Sequence, residues 1–134
     1  MNGGAIGQER NWVLAAYGLL LIAPGSGGVT ALIGAVLAHL RLEGARGSLY
    51  ESHYRNMILV FWVWLAVVLI LLALAFTGVA GLVMSLLAWP EHDFPVGRFL
   101  LSTALWSLCG VLAGIWYYWR LLRGLIRALD DKPY

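Results

Sequence analysis

Charged side chains are scarce in this sequence of 134 residues, and cysteine is almost missing. Asp, Glu, Lys and Arg make up 12% of the residues, about half of the roughly 25% that is usual in soluble domains. The one cysteine, Cys109, has no partner for an internal disulfide, which excludes a secreted scaffold held by disulfides. The net charge is only +2 and no run of five basic residues occurs, so we expect no nucleic-acid partner.

Apolar residues fill the sequence instead, at 61% of the chain with a mean hydropathy of +0.80. Residues 11–38, 56–90 and 99–119 contain no Asp, Glu, Lys, Arg or His, and each stretch exceeds the roughly 18 residues that indicate a transmembrane helix. The pieces between them are too short to bury a core, because domains below about 40 residues usually need disulfides or metals. This pattern excludes a soluble enzyme and predicts an all-α integral membrane protein with one transmembrane domain over residues 1–134. Its three helices would span residues 12–40, 56–89 and 99–120.

The distribution of basic residues predicts the orientation in the membrane. Seven of the nine lie in residues 39–55 or after residue 119. Because loops rich in Lys and Arg stay in the cytoplasm, we expect a cytoplasmic loop at 41–55, an outer loop at 90–98 and a basic cytoplasmic tail at 120–134. The N-terminus would then lie on the periplasmic side.

The first apolar stretch contains a helix break. Proline and glycine are the least favourable residues in a helix interior, and this segment predicts two half-helices over about 11–23 and 27–42. The pair would form one kinked span, an interfacial helix feeding a span, or a re-entrant hairpin, which would move the N-terminus into the cytoplasm. The break comprises Pro24, Gly25, Ser26, Gly27 and Gly28.

The second helix has a clear start signal. Ser48 and Glu51 have the spacing of a capping box, in which each side chain accepts the other residue's backbone N–H. Glu51 and Arg55 follow at i, i+4, a stabilising order. We therefore expect a long second helix that starts in the cytoplasm near residue 49. His53 would be a residue of the helix start in the headgroup region or, alternatively, a proton-handling group.

Small residues recur at four-residue spacing along each predicted span. Such rows let helix backbones approach closely within a membrane. We expect the spans to pack on one another in this way, and Gly110 and Gly114 form a GxxxG pair that could also mediate self-association. The candidate packing glycines are Gly34, Gly81, Gly110 and Gly114.

The C-terminal segment places Arg120, Arg123 and Arg127 at i, i+3 and i+7. This spacing predicts a helix with one basic face that contacts anionic lipid headgroups or docks a partner. No pair of intramembrane carboxylates, nucleophile set or metal-ligand spacing is present, so we expect no catalytic, cofactor or metal site. The candidate interaction surface on the cytoplasmic side comprises Glu51, His53, Arg55, Arg120, Arg123 and Arg127.

Several of these segments together resemble a known family. The charged turn from His39 to Arg46, the Glu51–Asn56 segment with the Phe61-Trp62 start of the second span, and the Ile115–Leu125 segment resemble a family of small bacterial integral membrane proteins of unknown function. That family is distantly similar to a chloroplast inner-envelope protein-import component. The resemblance implies a bacterial inner-membrane location and work within larger complexes, and it supplies no site residues.

These observations together predict a non-enzymatic, multi-pass inner-membrane protein. It would act as an accessory, scaffolding or interaction subunit whose partners are membrane lipids, other membrane proteins or a second copy of itself. The alternative is a pore or translocation component gated by the broken first helix, with Ser26, Thr30 and His39 at the gate. A third possibility is a membrane enzyme that uses His39, Glu51 and His53.

Overall fold

The computed structural model describes residues 3–88 and 96–134, apart from the side chains of residues 3–6, 86 and 88. These residues form helices and no strand, so the predicted all-α class is confirmed. Residues 90–95 of the predicted outer loop lie outside the described residues, and residues 96–98 are helical. The elements are α1 (Gly3–Leu21), a 3₁₀ helix (Ala23–Ser26), α2 (Val29–Leu42), α3 (Leu49–Ala88) and α4 (Val96–Leu129).

Two helices in the described part of the chain, α3 and α4, are long and apolar enough to cross a membrane, where the sequence predicted three. The predicted first span, 12–40, is divided between α1 and α2. The 14 residues of α2 reach about 21 Å at 1.5 Å per residue, short of the roughly 30 Å hydrocarbon layer. The charged residues Glu9 and Arg10 lie within α1 and shorten its apolar part. The prediction of three spans is therefore corrected to two candidate spans.

The chain divides into two compact units. The first unit comprises Met1–Val63 with Trp116–Tyr134, and the second unit comprises Trp64–Ile115. Each helical segment of the second unit has at least the roughly 20 residues that a span requires. The most apolar window of α4 has no buried residue, and that of α3 is 17% buried. The core helices of a soluble protein would be covered, so this exposure is typical of lipid-facing helices.

The first unit begins with a helical hairpin. Gly27 (φ 64°) and Gly28 (φ 91°) are both left-handed, a conformation that costs glycine nothing and reverses the chain between α1 and α2. The buried face of α2 consists of small residues, and a Cβ at Gly34 would lie 3.2 Å from the Ala16 carbonyl oxygen of α1. The first stretch therefore forms a helical hairpin, because small side chains let α1 and α2 approach closely.

The core of the first unit combines this hairpin with the first turns of α3 and the last turns of α4. The Tyr117 hydroxyl donates to the Leu20 carbonyl oxygen at 2.6 Å, which satisfies one of the carbonyls left open at the end of α1. The fully buried side chains include Val13, Tyr17, Leu20, His53, Tyr54, Met57, Val60, Tyr117 and Leu121.

Candidate functional site

A chain of hydrogen-bonded polar groups crosses the core of the first unit. Arg120 Nε lies 2.7 Å from Asn56 Oδ1, and Asn56 Nδ2 lies 3.4 Å from the Tyr17 hydroxyl. The same hydroxyl lies 3.2 Å from His53 Nδ1, and His53 Nε2 lies 2.8 Å from the Lys132 carbonyl oxygen. We call these five groups the polar chain. It joins α1, α3 and both the start and the end of the C-terminal segment.

The direction of every bond in the polar chain follows from its two ends. The Lys132 carbonyl can only accept, so His53 Nε2 carries the proton and Nδ1 accepts from the Tyr17 hydroxyl. The Tyr17 oxygen then accepts from the Asn56 amide, which leaves Asn56 Oδ1 facing Arg120. A guanidinium can only donate, so each donor meets an acceptor. The arrangement is consistent with a neutral His53 in the Nε2–H tautomer.

Burial keeps the middle of the polar chain, from His53 through Tyr17 to Asn56, away from solvent. Tyr17 and His53 are fully buried and Asn56 is 3% exposed. Burial raises the pKa of Tyr17 well above its ordinary value, so its hydroxyl stays protonated and available to His53. The arrangement suits a structural lock between helices, since no substrate could reach the Tyr17–His53 pair in this state.

The start of α3 and the end of the chain are also tied by bonds outside the polar chain. The Tyr134 backbone N–H donates to Ser52 Oγ at 2.9 Å, and the Tyr50 hydroxyl donates to Asp131 at 3.4 Å. These contacts bring the two predicted halves of the interaction surface, one on α3 and one on α4, into one neighbourhood.

A second group of contacts closes the hairpin at its open end. Glu9 of α1 pairs with Arg41 of α2 at 3.4 Å and accepts from the Tyr54 hydroxyl at 3.3 Å. The Arg41 guanidinium lies 4.3 Å from the ring centre of Trp12, a cation–π contact. Glu9, one of the two charged residues that shorten the apolar part of α1, therefore helps to hold α1, α2 and α3 together.

Only some of the residues of the predicted interaction surface are exposed to solvent. Glu51 and Arg55 form the expected i, i+4 ion pair at 2.8 Å, and Arg123 is exposed. His53 is fully buried, which corrects its assignment to this surface. The reason is helical geometry: His53 is two residues from both Glu51 and Arg55, so it lies on the opposite side of α3.

The start of α3 is at Leu49, close to where the sequence predicts it, but the cap differs in detail. Ser48 Oγ accepts from the Tyr50 N–H at 3.2 Å, and the Glu51 carboxylate accepts from the Gly47 N–H at 2.9 Å. Both side chains therefore cap the helix start as a capping box would, on N–H groups one residue away from the expected ones.

Ser26, the residue of the helix break with a polar side chain, bonds to residues on either side of the break. Ser26 Oγ lies 3.0 Å from the Ala23 carbonyl oxygen and 2.8 Å from Thr30 Oγ1. His39, the third residue assigned to a gate, has Nδ1 at 2.8 Å from the Ala35 carbonyl oxygen of its own helix. Pro24 lies in the first turn of the 3₁₀ helix and Gly25 follows it, so these residues act as a turn and a helix start.

The four packing glycines have different environments. Gly34 lies tightly against α1, whereas a Cβ at Gly110 would reach Leu71 at an ordinary 3.6 Å. At Gly81 and Gly114 no described atom beyond the neighbouring residues and backbone of the same helix lies within 4 Å of such a Cβ. Gly110 borders an apolar groove of about 480 Å³ between α3 and α4 of the second unit, with Leu71, Phe99 and Trp106.

The sequence reasoning missed the centre of the polar chain. Tyr17 lies in the first apolar stretch and Asn56 in the Glu51–Asn56 segment, and no local pattern links the two. Gly124 was not among the candidate packing glycines, but it lies against the Tyr17 ring. A pairing of isolated polar residues in different apolar segments could have suggested the Tyr17–Asn56 contact.

Metal binding has no support within residues 3–88 and 96–134, where no group of three His, Cys, Asp or Glu side chains could hold an ion. No protein-family model matches the chain, and comparisons with curated proteins and with solved structures give no significant match. The resemblance to a bacterial membrane-protein family therefore stays a prediction.

Proposed function

We propose that this protein is a non-enzymatic subunit that serves interaction or scaffolding in a larger membrane assembly, with α3 and α4 as its two spans. The observation that supports this most is an imbalance of charge on α4. Five basic side chains of the first unit pair with carboxylates. Arg120, Arg123 and Arg127 have no such partner among the described residues. Unpaired cations on one helix face attract an external anionic group.

The charge distribution supports one orientation of a two-span protein. Eight of the nine basic residues belong to the first unit, and Arg98 is the ninth. The positive-inside rule then places the first unit, with the N-terminus and the C-terminus, on the cytoplasmic side of a bacterial inner membrane. This is the hairpin alternative considered for the sequence, and it changes the expected side of the N-terminus.

Labelling of single cysteines tests this orientation. In a Cys109→Ser background, Gln8→Cys and Arg46→Cys should react with a membrane-impermeant maleimide only after the cells are permeabilised. Val96→Cys, which is exposed near the start of α4, should react in intact cells. Reaction of Gln8→Cys in intact cells would favour a spanning first segment and contradict the two-span proposal.

Site-specific crosslinking tests the interaction role. A photoreactive amino acid at Leu122, exposed beside Arg123, should give a discrete protein adduct at native expression levels. Arg127→Glu should abolish that adduct, and Arg98→Glu, outside the first unit, should leave it unchanged. An adduct that is absent, or that is the same in Arg127→Glu, would contradict a partner recognised by the basic face.

The alternative of a pore or translocation component has no specific contact in its favour within the described residues. The polar groups of the helix break bond to one another and to neighbouring backbone. Flux through proteoliposomes of the folded protein above that of empty vesicles would support this alternative.

A further inference from the structure

Arg120 differs from the other arginines of the first unit in how its guanidinium is held. Its Nε donates to Asn56, and its guanidinium carbon lies 5.6 Å from the ring centre of Trp116 and 5.5 Å from that of Tyr134. The guanidinium is thus bonded through Nε and lies near two aromatic rings. The geometry leaves the two terminal amino groups, Nη1 and Nη2, as the unbonded edge.

That unbonded edge is open to an external group. Within the described part of the chain, no hydrogen bond or ion pair is made by Nη1 or Nη2 of Arg120. Neither atom is among the buried polar atoms without a hydrogen bond, a state found there for Arg10 Nε. Both amino groups are therefore accessible, and each has hydrogens that can be donated.

The polar chain fixes the position of the Arg120 guanidinium through the bond at Nε. Asn56 is almost fully buried, and its amide is oriented by Tyr17, which is oriented in turn by His53. An arginine held in this way loses little side-chain freedom when it binds a ligand, and such preorganisation favours affinity.

The surrounding charge favours an anion. Arg123 and Arg127 lie one and two turns further along α4, and neither has a carboxylate partner among the described residues. The aromatic rings of Trp116 and Tyr134 are of the types enriched where protein meets the headgroup layer of a membrane. A guanidinium beside two such rings fits a ligand that has a pair of anionic oxygens and lies next to a lipid surface.

We propose that Arg120 is the centre of a binding site for a phosphate group, which Nη1 and Nη2 hold as a bidentate pair. The phosphate would be that of an anionic phospholipid headgroup or free inorganic phosphate, which offer the same oxygens. The inference rests on the proposed membrane location of α4, and it does not depend on any protein partner.

Native mass spectrometry of the full-length protein in a non-ionic detergent tests the site. With phosphatidylglycerol added, the wild-type protein should retain one lipid. Diacylglycerol has the acyl chains without the phosphate and should be retained at least about tenfold less, as for loss of a charged hydrogen-bond partner. Arg120→Lys keeps the charge but lacks the fork, and it should lose about tenfold in phosphatidylglycerol retention. Arg98→Gln is the matched control and should bind as the wild type does.

Inorganic phosphate is the second ligand to be tested in this experiment. Displacement of the lipid by millimolar phosphate, with the same dependence on Arg120, would assign the site to a free phosphate. Equal retention of both lipids, or equal retention by wild type and Arg120→Lys, would overturn the proposal.

If substitution of Arg120 disturbs folding, Asn56→Asp tests the phosphate site in its place. An aspartate at this position would give Arg120 an internal counterion and should weaken phosphatidylglycerol retention with Arg120 still present; unchanged retention would count against the site. Because these measurements use purified protein without a partner, their failure leaves the crosslinking result of the proposed function intact, and the reverse also holds.

Discussion

The phenol ring of Tyr17 in α1 lies directly against the backbone of Gly124 in α4. A Cβ at position 124 would come within 2.6 Å of Tyr17 Cζ, closer than real Cβ atoms approach other heavy atoms. This contact places the Tyr17 hydroxyl between His53 and Asn56. The glycine that weakens the last helix as an isolated helix is thus what lets α4 approach the polar chain.

Gly124→Ala should destabilise the protein by about 1–3 kcal/mol, because the added methyl overpacks the Tyr17 ring. The measurement is the midpoint of thermal unfolding of the purified protein in detergent. Gly114→Ala is the matched control, since its surroundings are open within 4 Å, and it should leave the midpoint unchanged or higher. A neutral Gly124→Ala would show that the Tyr17 contact is looser than described.

Tyr17→Phe should cost about 1–3 kcal/mol in the free energy of unfolding, because His53 Nδ1 and the Asn56 amide would lose their shared partner while buried. Denaturant titration followed by circular dichroism measures this. Tyr118→Phe removes a hydroxyl from an exposed ring and should stay within about 0.5 kcal/mol of the wild type. Equal effects of the two substitutions would argue against the polar chain as a lock.

His53 and His39 should carry their protons on different ring nitrogens. His53 Nε2 faces a carbonyl oxygen, and in His39 it is Nδ1 that does so. At alkaline pH, where imidazoles are neutral, ¹⁵N spectra of histidine-labelled protein should show the Nε2–H tautomer for His53 and the Nδ1–H tautomer for His39. An Nδ1–H tautomer at His53 would reverse the bond direction derived for the polar chain.

Gly28→Ala should destabilise the α1–α2 hairpin by about 1 kcal/mol or more, because an L side chain is strained in the left-handed region that Gly28 occupies. The free energy of unfolding reports this. Gly25→Ala is a stringent control: it lies in the same turn, has no positive φ and has open space around it. If both substitutions have the same effect, the turn does not have the described conformation.

The start of α3 was predictable because its signals are local. Ser48, Glu51 and Arg55 act within one or two turns, so their spacing in the sequence is enough to find both the helix start and the ion pair. The break at Pro24–Gly28 was predictable for the same reason, since proline and glycine act on their own backbone. Which of the three arrangements followed from the break was left open, because it depends on whether α2 packs against α1.

The contacts of the polar chain could not be predicted from local sequence patterns. Asn56 lies 39 residues from Tyr17 and 64 residues from Arg120 in the sequence. No local pattern links these three residues. His53 looked like part of a surface because it stands between two charged residues, and only the packing of α3 against its neighbours puts it in the core.

The sequence by itself determined the composition of the helices, the long apolar segments of α3 and α4, and the row of arginines after Trp119, because these depend on hydropathy and on spacing along one helix. The tertiary structure alone decided that the first apolar stretch is a hairpin, that His53 faces inward and that Arg120 keeps an open edge. Those outcomes depend on which side chains meet across different helices, and chain spacing does not carry that information.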